Sequence, residues 1–308
     1  MAETTLPELS VIIAAYRAED QIGDCLRSLA AQQSARTFEV IVVNSSADGT
    51  PAMIQRDFPG FRCLTFDARK YCGDARNAGI AAARAPVVAF IDADCVAAPD
   101  WVDAVLSAHR APHLAVGGSI ANAHPGPPVG WAAHILEFHD WMPHRPARWI
   151  DDMAGANLSF KREAFQRFGP FIKGTYCSDS EFNWRLADAG HRIWFDPAIR
   201  VAHRGITDWR QFLSHEFMHG RSFGRVRTRY RCFHLLQRLA YAALWPLIAI
   251  KLFTGAARSA ASDPSTRQAF VRSAGWLAVG FAAWALGEAA GYLSRTQPDQ
   301  TGRSQVAT

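Results

Sequence analysis

Apolar residues in the first hundred positions form two alternating patterns. Short continuous apolar runs predict buried β-strands in "LSVIIAAY", "FEVIVVNSS" and "VVAFI". The first run is followed by an amphipathic stretch in which Ile22, Cys25, Leu26 and Leu29 recur at helical spacing. An Ala-rich helix is predicted in "GDARNAGIAAARA", before Pro86 and the third run. Continuous strands separated by helices indicate an α/β fold with a parallel sheet covered on both faces.

Two aspartates, Asp92 and Asp94, end the third run in "VVAFIDADC". Burying a carboxylate without a partner is costly, so we expect a partner that offsets the charge of these two carboxylates. Ligands of open α/β sheets bind at the carboxyl ends of the strands, and two carboxylates there suit a hard divalent cation. Because D-x-D is a short and common pattern, an alternative stays open. In that alternative Asp94 caps the helix predicted in "PDWVDAVLSAH" and Asp92 is an exposed turn residue.

The polarity pattern changes after residue 205. Segment 206–233 combines apolar residues at helical intervals with several arginines, which is typical of an amphipathic helix at an anionic membrane surface. These arginines are Arg221, Arg225, Arg227, Arg229 and Arg231. They could also contact nucleic acid, but no recognised binding motif accompanies them, so we expect no nucleic-acid partner.

Segment 234–295 contains two apolar runs, "LAYAALWPLIAIKLFTGAA" and "AGWLAVGFAAWALGEAAGYL", of the length that a bilayer requires. The arginines before the first run favour the cytoplasmic side for that end. Two charged residues, Lys251 and Glu288, lie in or near these runs, and Pro246 interrupts the first. An alternative therefore stays open, in which the helices lie in the membrane interface or pack on the preceding domain. The predicted organisation has four parts: a domain at 1–205, a basic amphipathic juxtamembrane segment at 206–233, two apolar transmembrane or interfacial helices at 234–295, and a polar tail at 296–308.

Composition narrows the class of protein. The 308 residues are 49% hydrophobic, which is enough for a sizeable core and excludes a disordered chain. The six cysteines include no C-x-x-C pair, which predicts reduced thiols rather than a zinc site. The segment "MAETTLPELS" has two glutamates and no cationic region before an apolar core. It therefore predicts no secretory signal peptide and a cytoplasmic first domain.

Five segments, in this order along the chain, resemble motifs of the family-2 glycosyltransferases. They are "VIIAAYRAEDQIGDCLRSL", "EVIVVNSSADGT", "ARNAGIAAARAPVVAFIDADC", "AGANLSFKREAFQRFGPF" and "SDSEFNWRLADAGHRIWFDPAIRVAH", between about residues 8 and 205. Members of this family have the GT-A fold and transfer a sugar from a nucleotide diphosphate donor with inversion. The resemblance implies a mixed, mostly parallel, Rossmann-like sheet flanked by helices, and glycosyltransferase activity.

The resemblance assigns six residues to the nucleotide-sugar donor. They are Ala15, Tyr16, Glu19, Asn44, Arg76 and Asp92. The family usually has an aspartate at the position of Asn44, and an amide both donates and accepts hydrogen bonds, so the identity of the nucleotide stays open. A packed ring for Tyr16 and a solvated side chain for Arg76 are the structural alternatives.

The resemblance also implies a metal site and a catalytic base. Asp94 and His203 would hold Mn²⁺ or Mg²⁺, with Asp92 facing the ribose or a metal-bound water, and the imidazole ligand favours manganese. The family's base position falls on Asp179 in "CSDSEFNWRL", with Glu181 as the second candidate. A helix start in the same segment is the alternative role.

The acceptor side and the product are implied more coarsely. Gly155 would allow close backbone approach, Asn157 would hydrogen-bond a sugar, and Trp184 is a third acceptor candidate whose alternative is core packing. The sequence lacks the Gln-x-x-Arg-Trp signature of processive members, so we expect transfer of one sugar. The expected donor is a UDP-sugar. The expected acceptor is a lipid-linked or surface glycan, at the cytoplasmic face of the cell membrane and in contact with membrane lipids. An inactive GT-A domain that binds a sugar nucleotide or scaffolds a membrane complex is the alternative function.

Overall fold

A computed structural model describes residues 6–294, and nine strands within that range form one mixed sheet. The strands are β1 (Leu9–Ala15), β2 (Phe38–Asn44), β3 (Arg62–Thr65), β4 (Val87–Ile91), β5 (Cys95–Ala97), β6 (Ala115–Asn122), β7 (Arg148–Ile150), β8 (Asn157–Lys161) and β9 (Ile193–His203). The helices are α1 (Glu19–Ala30), α2 (Thr50–Asp57), α3 (Cys72–Ala82), α4 (Trp101–Ala108), α5 (Pro128–Phe138), α6 (Glu163–Phe168), α7 (Ser178–Asp188), α8 (Trp209–Tyr230), α9 (Leu235–Ala243), α10 (Trp245–Ala261) and α11 (Pro264–Leu293).

The sheet has the order β3-β2-β1-β4-β8-β6-β9-β5, and β7 pairs with β9. Its N-terminal half is parallel, as the continuous apolar runs predict, because β1 pairs in parallel with β2 and β4, and β2 with β3. Strand β8 then enters antiparallel between β4 and β6, while β6 and β9 are again parallel. The predicted α/β fold with a mixed sheet is confirmed.

The core of this sheet contains the residues that the apolar pattern indicates. Every residue of β4 is buried, and Ile22, Cys25, Leu26 and Leu29 form the buried face of α1. Parallel strands that are covered on both faces cannot alternate polar and apolar residues, which explains the continuous runs. The same rule explains why polar side chains collect where the strands end.

The C-terminal helices form a separate layer that packs on α5. Helix α11 runs along α8 at very short range, because a Cβ added at Gly220 would lie 2.0 Å from the Trp284 carbonyl oxygen. Gly224 is equally close to the backbone at Glu288, where the distance would be 2.3 Å. Such glycine contacts let two helix backbones touch, as in membrane-embedded helix pairs.

The two apolar runs have different structures. The second lies in α11, which is long and apolar enough to cross a bilayer by length and composition. The first is divided into α9 and α10, which meet at a bend of 58° next to Pro246. Leu235, Leu236 and Leu247 of this bent pair are exposed. The predicted polar tail at 296–308 lies outside the described residues.

Candidate active site

The turn after β4 brings the two aspartates to the last residue of β9. The backbone N–H of Cys95 donates to the Asp92 carbonyl over 3.0 Å, and β5 pairs with β9 so that Cys95 lies opposite His203. This pairing leaves 3.3 Å between Asp94 Oδ2 and His203 Nε2. The residue at the N-terminus of α4 is Asp100, so Asp94 is not the cap of that helix.

Asp94 is electrostatically unusual. Burial raises the pKa of its carboxyl to about 6, although the neighbouring His203 opposes the shift. The Nδ1 atom of His203 is buried without a partner among the described residues. The Cys95 sulfur lies within 4.8 Å of the ligand atoms of Asp94 and His203. Burial raises the pKa of the Cys95 thiol well above the usual range, so the thiol stays protonated. Asp94 and His203 are therefore the two side chains that fit a divalent cation here.

A buried arginine joins Asp92 to the predicted base. Arg76 is 4% exposed, and its guanidinium lies 3.1 Å from Asp92 Oδ1 and 3.5 Å from Asp179 Oδ2. Burial opposes the charge on Arg76, but the two aspartates outweigh this effect and raise its pKa. Arg76 is thus an internal bridge rather than a solvated helix residue.

Gly155 completes this bridge. Its N–H donates to Asp179 Oδ2 over 2.9 Å, and a Cβ at this position would lie 2.2 Å from Arg76 Nη2. Only a residue without a side chain leaves room for the arginine. We name Arg76, Asp92, Gly155 and Asp179 the charge bridge.

The helix that carries Asp179 begins under backbone strain. Cys177 precedes α7 with a φ of 58°, a region that non-glycine residues rarely adopt. Asp179 Oδ1 accepts from the N–H of Ser180, and no side chain caps the helix through the predicted capping pattern. Glu181 is buried on the same helix and forms an ion pair with Arg185 at 2.9 Å. Asp179 therefore belongs to the charge bridge, whereas Glu181 contacts Arg185.

One further carboxylate near the base is absent from the sequence predictions. Asp152 accepts hydrogen bonds from Asn183 Nδ2 and from the N–H of Met153. Burial raises its pKa to about 6, and Asp179 contributes to the rise. Its position in "WIDDMAGAN", just before Gly155, is the signal that could have indicated it.

The predicted donor side holds a cluster of aromatic and cationic residues. The Arg69 guanidinium lies 4.4 Å from the ring centre of Tyr16 and donates to Tyr176 Oη over 2.9 Å. Tyr71 packs edge to face against Tyr176. Arg69, Tyr71 and Tyr176 escaped the sequence predictions because isolated loop residues carry no periodic pattern.

The other two donor candidates at this edge make local contacts. The Glu19 carboxylate accepts from the N–H of Gly49 over 2.9 Å, which ties α1 to the loop after β2. Ala15 is buried, and its carbonyl accepts from the N–H of Ser45.

Two predicted contact residues make hydrogen bonds within the protein. Asn44 is completely buried, and its amide both donates to and accepts from Ser46. Asn157 is 2% exposed; it donates to the carbonyls of Ser119 and Ile199, and its oxygen accepts from Trp101. These bonds give both residues a structural role. Their contacts with nucleobase and sugar stay predictions.

Trp184 also packs within the protein, and its acceptor role stays a prediction. Its ring packs against Phe223 and Tyr230 of α8, at 5.5 Å and 5.4 Å between ring centres. It therefore joins α7 to the C-terminal layer, which corresponds to the packing alternative.

Comparisons with known proteins agree with this architecture. The chain is 26% identical over 254 residues to Glycosyltransferase AglE of Haloferax volcanii, covering 80% of this chain and 82% of that protein. Two other curated relatives match over only 28% and 44% of their own length.

Solved structures share the fold at low identity. A mannosyltransferase from Pyrobaculum calidifontis, PcManGT in complex with GDP-Man and Mn²⁺, aligns with a TM-score of 0.57 and 20% identity, over 88% of this chain and 76% of that one. TarS from S. aureus in complex with UDP-GlcNAc aligns with a TM-score of 0.53 and 14% identity, over 88% of this chain and 89% of that one. Residues 10–169, just over half of the chain, match the family model described as glycosyl transferase family 2. This protein therefore belongs to glycosyl transferase family 2 and is a glycosyltransferase of the GT-A fold.

Proposed function

We propose that this glycosyltransferase transfers one sugar from a nucleotide diphosphate donor to an acceptor hydroxyl, with inversion, at a divalent cation held by Asp94 and His203. The observation that carries the proposal is the short distance of 3.3 Å between Asp94 Oδ2 and His203 Nε2, next to the charge bridge. A cation would offset the desolvation of Asp94 and use a histidine that is already aimed at it. Bound there, it would supply positive charge for the departing nucleoside diphosphate.

Manganese is the proposed ion. Mn²⁺ tolerates an imidazole ligand better than Mg²⁺, which prefers oxygen and water. The PcManGT structure contains Mn²⁺, which supports the same choice at the level of the fold.

Asp179 is the proposed base. Inversion in one step requires a carboxylate on the face of the sugar opposite the diphosphate, close to the attacking hydroxyl. Arg76, at 3.5 Å, and the Gly155 N–H, at 2.9 Å, both contact Asp179 Oδ2 and orient the carboxylate. Glu181 stays a second candidate, but its ion pair with Arg185 weakens the case for it.

The donor proposal is a UDP-sugar. The solved neighbours bind GDP-Man and UDP-GlcNAc, so likeness of fold does not decide between nucleotides. Tyr16 and Arg69, stacked at the end of β1, offer the aromatic and cationic surface that a base and a phosphate would use.

The acceptor proposal is a lipid-linked or surface glycan that carries negative charge. A cavity of about 910 Å³ lies between α7, α8 and the loop before α7, with Tyr71 and Tyr176 at its wall. Arg221 and Arg225, one turn apart on α8, also line it. Guanidinium groups in such a cavity suit phosphate, the group that joins a glycan to a lipid carrier.

The proposed location is the cytoplasmic face of the cell membrane. Leu236 and Leu247 are 72% and 61% exposed on α9 and α10, which is typical of a helix pair that lies in an apolar interface. In flotation with anionic phospholipid vesicles, a Leu236→Glu/Leu247→Glu protein should lose most of its bound fraction. Leu6→Glu, at an equally exposed leucine beside the sheet, should float like the wild type. Equal flotation of all three proteins would refute a membrane contact through Leu236 and Leu247.

Donor binding and turnover test the function directly. We would measure thermal unfolding of the detergent-solubilised protein with UDP-, GDP- and dTDP-sugars, with and without Mn²⁺. One nucleotide class should raise the unfolding temperature only when Mn²⁺ is present, and Asp94→Ala should abolish the shift. Asp179→Asn should keep the shift but reduce release of nucleoside diphosphate, with a membrane glycolipid extract as acceptor, by roughly 10²–10⁴-fold.

Asp100→Ala is the matched control, because Asp100 lies in the same segment but pairs with Arg200 at the surface. It should behave like the wild type. Normal turnover in Asp94→Ala would contradict the proposed cation site. Metal-dependent binding without turnover in the wild type would instead favour an inactive sugar-nucleotide-binding domain.

A further inference from the structure

Three ligand-type side chains meet between α5 and α8, outside the pair formed by Asp94 and His203. Glu137, His215 and His219 each place one carboxylate oxygen or ring nitrogen within 4.8 Å of the other two. Glu137 Oε1 and His215 Nε2 are 2.9 Å apart. We propose that Glu137, His215 and His219 form a second metal site, for a divalent transition metal of the zinc class, with one coordination position open to solvent.

The ligand set matches the chemistry of such ions. Two histidines one turn apart present their rings on one helix face, and a carboxylate from a neighbouring helix supplies the third ligand. Ligand bonds to Zn²⁺ are about 2.0–2.2 Å long, so two ligand atoms of one tetrahedral ion lie about 3.4 Å apart. Glu137 Oε1 and His215 Nε2 are already closer than this, at 2.9 Å, and the His219 nitrogen would have to approach them by up to about 1.4 Å, a movement that side-chain rotation can supply.

Uncompensated groups around the cluster favour a cation. Glu216, in the same turn as His215, is completely buried, and neither of its carboxylate oxygens has a partner among the described residues. The Nδ1 atom of His219 is also buried without a hydrogen-bond partner among the described residues. A histidine bound to metal usually donates its second N–H to a carboxylate. Glu216 is three residues from His219 on the same helix, and although the two are not hydrogen-bonded here, it is the carboxylate that could take this role.

The Glu137 carboxylate already lies next to a ligand-type nitrogen, because its Oε1 atom is 2.9 Å from His215 Nε2. A divalent cation would take the place of the proton between these two atoms.

The open position faces a cavity. A space of about 240 Å³ is lined by His215, His219 and the neighbouring Tyr176, Gln211, Ser214 and Met218. Three protein ligands beside a solvent-filled space are the arrangement of metal sites that bind water or an exchangeable oxygen ligand.

The two proposed sites are neighbours at the end of α5. Phe138, the residue after Glu137, packs its ring against His203 at 4.9 Å between ring centres. The two sites share no ligand, so each can be removed by its own substitutions.

Metal counting on the detergent-solubilised full chain tests the second site. We would add Zn²⁺ or Co²⁺ alone, without nucleotide, and measure bound metal per chain after gel filtration. The wild type and Asp94→Asn/His203→Asn should retain one nucleotide-independent equivalent. His215→Asn/His219→Asn should lose it, and Glu216→Gln should bind roughly 10–100-fold more weakly. The visible spectrum of bound Co²⁺ should change in Glu137→Gln.

Two controls keep the result interpretable. His124→Asn removes an exposed histidine outside the cluster and should bind like the wild type. The His215→Asn/His219→Asn protein should still unfold cooperatively on heating, which separates metal loss from misfolding. The proposal is overturned if the wild type binds no metal without nucleotide, or if His215→Asn/His219→Asn retains the wild-type equivalent. Loss of that equivalent in Asp94→Asn/His203→Asn alone would overturn it equally.

Discussion

The charge bridge and the contact between α8 and α11 both depend on a glycine. The two glycines differ in what lies next to them: a side chain in the charge bridge and a helix backbone in the helix pair. At Gly155 an added Cβ would meet the end of the Arg76 side chain, at 2.2 Å from Nη2. At Gly220 it would meet backbone, at 2.0 Å from the Trp284 carbonyl oxygen. A side chain can turn away from an intruding methyl group, whereas a packed helix backbone has to move as a unit.

This difference separates function from stability in the two regions. In the charge bridge, relief of the clash moves a guanidinium that orients two aspartates, so the loss should fall on turnover. In the helix pair, relief of the clash moves α11 away from α8, so the loss should fall on the free energy of unfolding. The same substitution, glycine to alanine, can therefore compare the two regions.

Of the glycine substitutions, Gly155→Ala should have the largest effect on turnover. Displacing Arg76 releases Asp179 from its position, and misplacement of a catalytic group by about 1 Å can cost on the order of 10²-fold in rate. We expect a loss of this size in the release of nucleoside diphosphate, measured under saturating donor.

Gly60→Ala is the matched control, because an added Cβ at Gly60 has no atom within 4 Å. It should keep wild-type turnover. If Gly155→Ala also keeps it, the position of Arg76 does not limit the reaction and the charge bridge is a structural feature only.

Sequence patterns predict the sheet, whereas the family resemblance implies the meeting of Asp94 with His203. The structure accounts for both through the strand ends. Continuous apolar runs specify parallel strands, and the carboxyl ends of those strands collect polar residues at one edge. Asp94 follows one strand and His203 ends another, so the topology brings them together.

The rest of the site depends on contacts that no local pattern encodes. Arg76 is bridged by Asp179, which lies far along the chain, and an arginine on a helix is ordinarily solvated. Asn44 sits where the resemblance implies a nucleotide contact, yet the loop after β2 turns its amide inward to Ser46. Glu137 and His215 meet only through the packing of α5 on α8.

The C-terminal layer was predictable in composition but not in arrangement. Length and hydropathy indicate two apolar segments, and Pro246 marks where the first can break. Whether such a proline bends one helix or begins another depends on tertiary packing, and here it lies in the first turn of α10, after a 58° bend. The close fit of α11 on α8 depends on glycines of the two helices that face each other, and composition alone does not show which glycines face each other.

Gly220→Ala should have a smaller effect on turnover but a measurable effect on stability. The helices must separate to admit the methyl group, and overpacking of this kind costs about 1–3 kcal/mol. We expect a lower unfolding temperature of the detergent-solubilised protein, with donor-induced stabilisation unchanged, because the donor side lies on the sheet.

Gly275→Ala on α11 provides the control, since an added Cβ there has no atom within 4 Å. That variant should instead gain roughly 0.5–1 kcal/mol, because alanine is the better helix former. Equal effects of the two substitutions on stability would mean that α8 and α11 do not touch through Gly220, and the contrast between the two regions would then be lost.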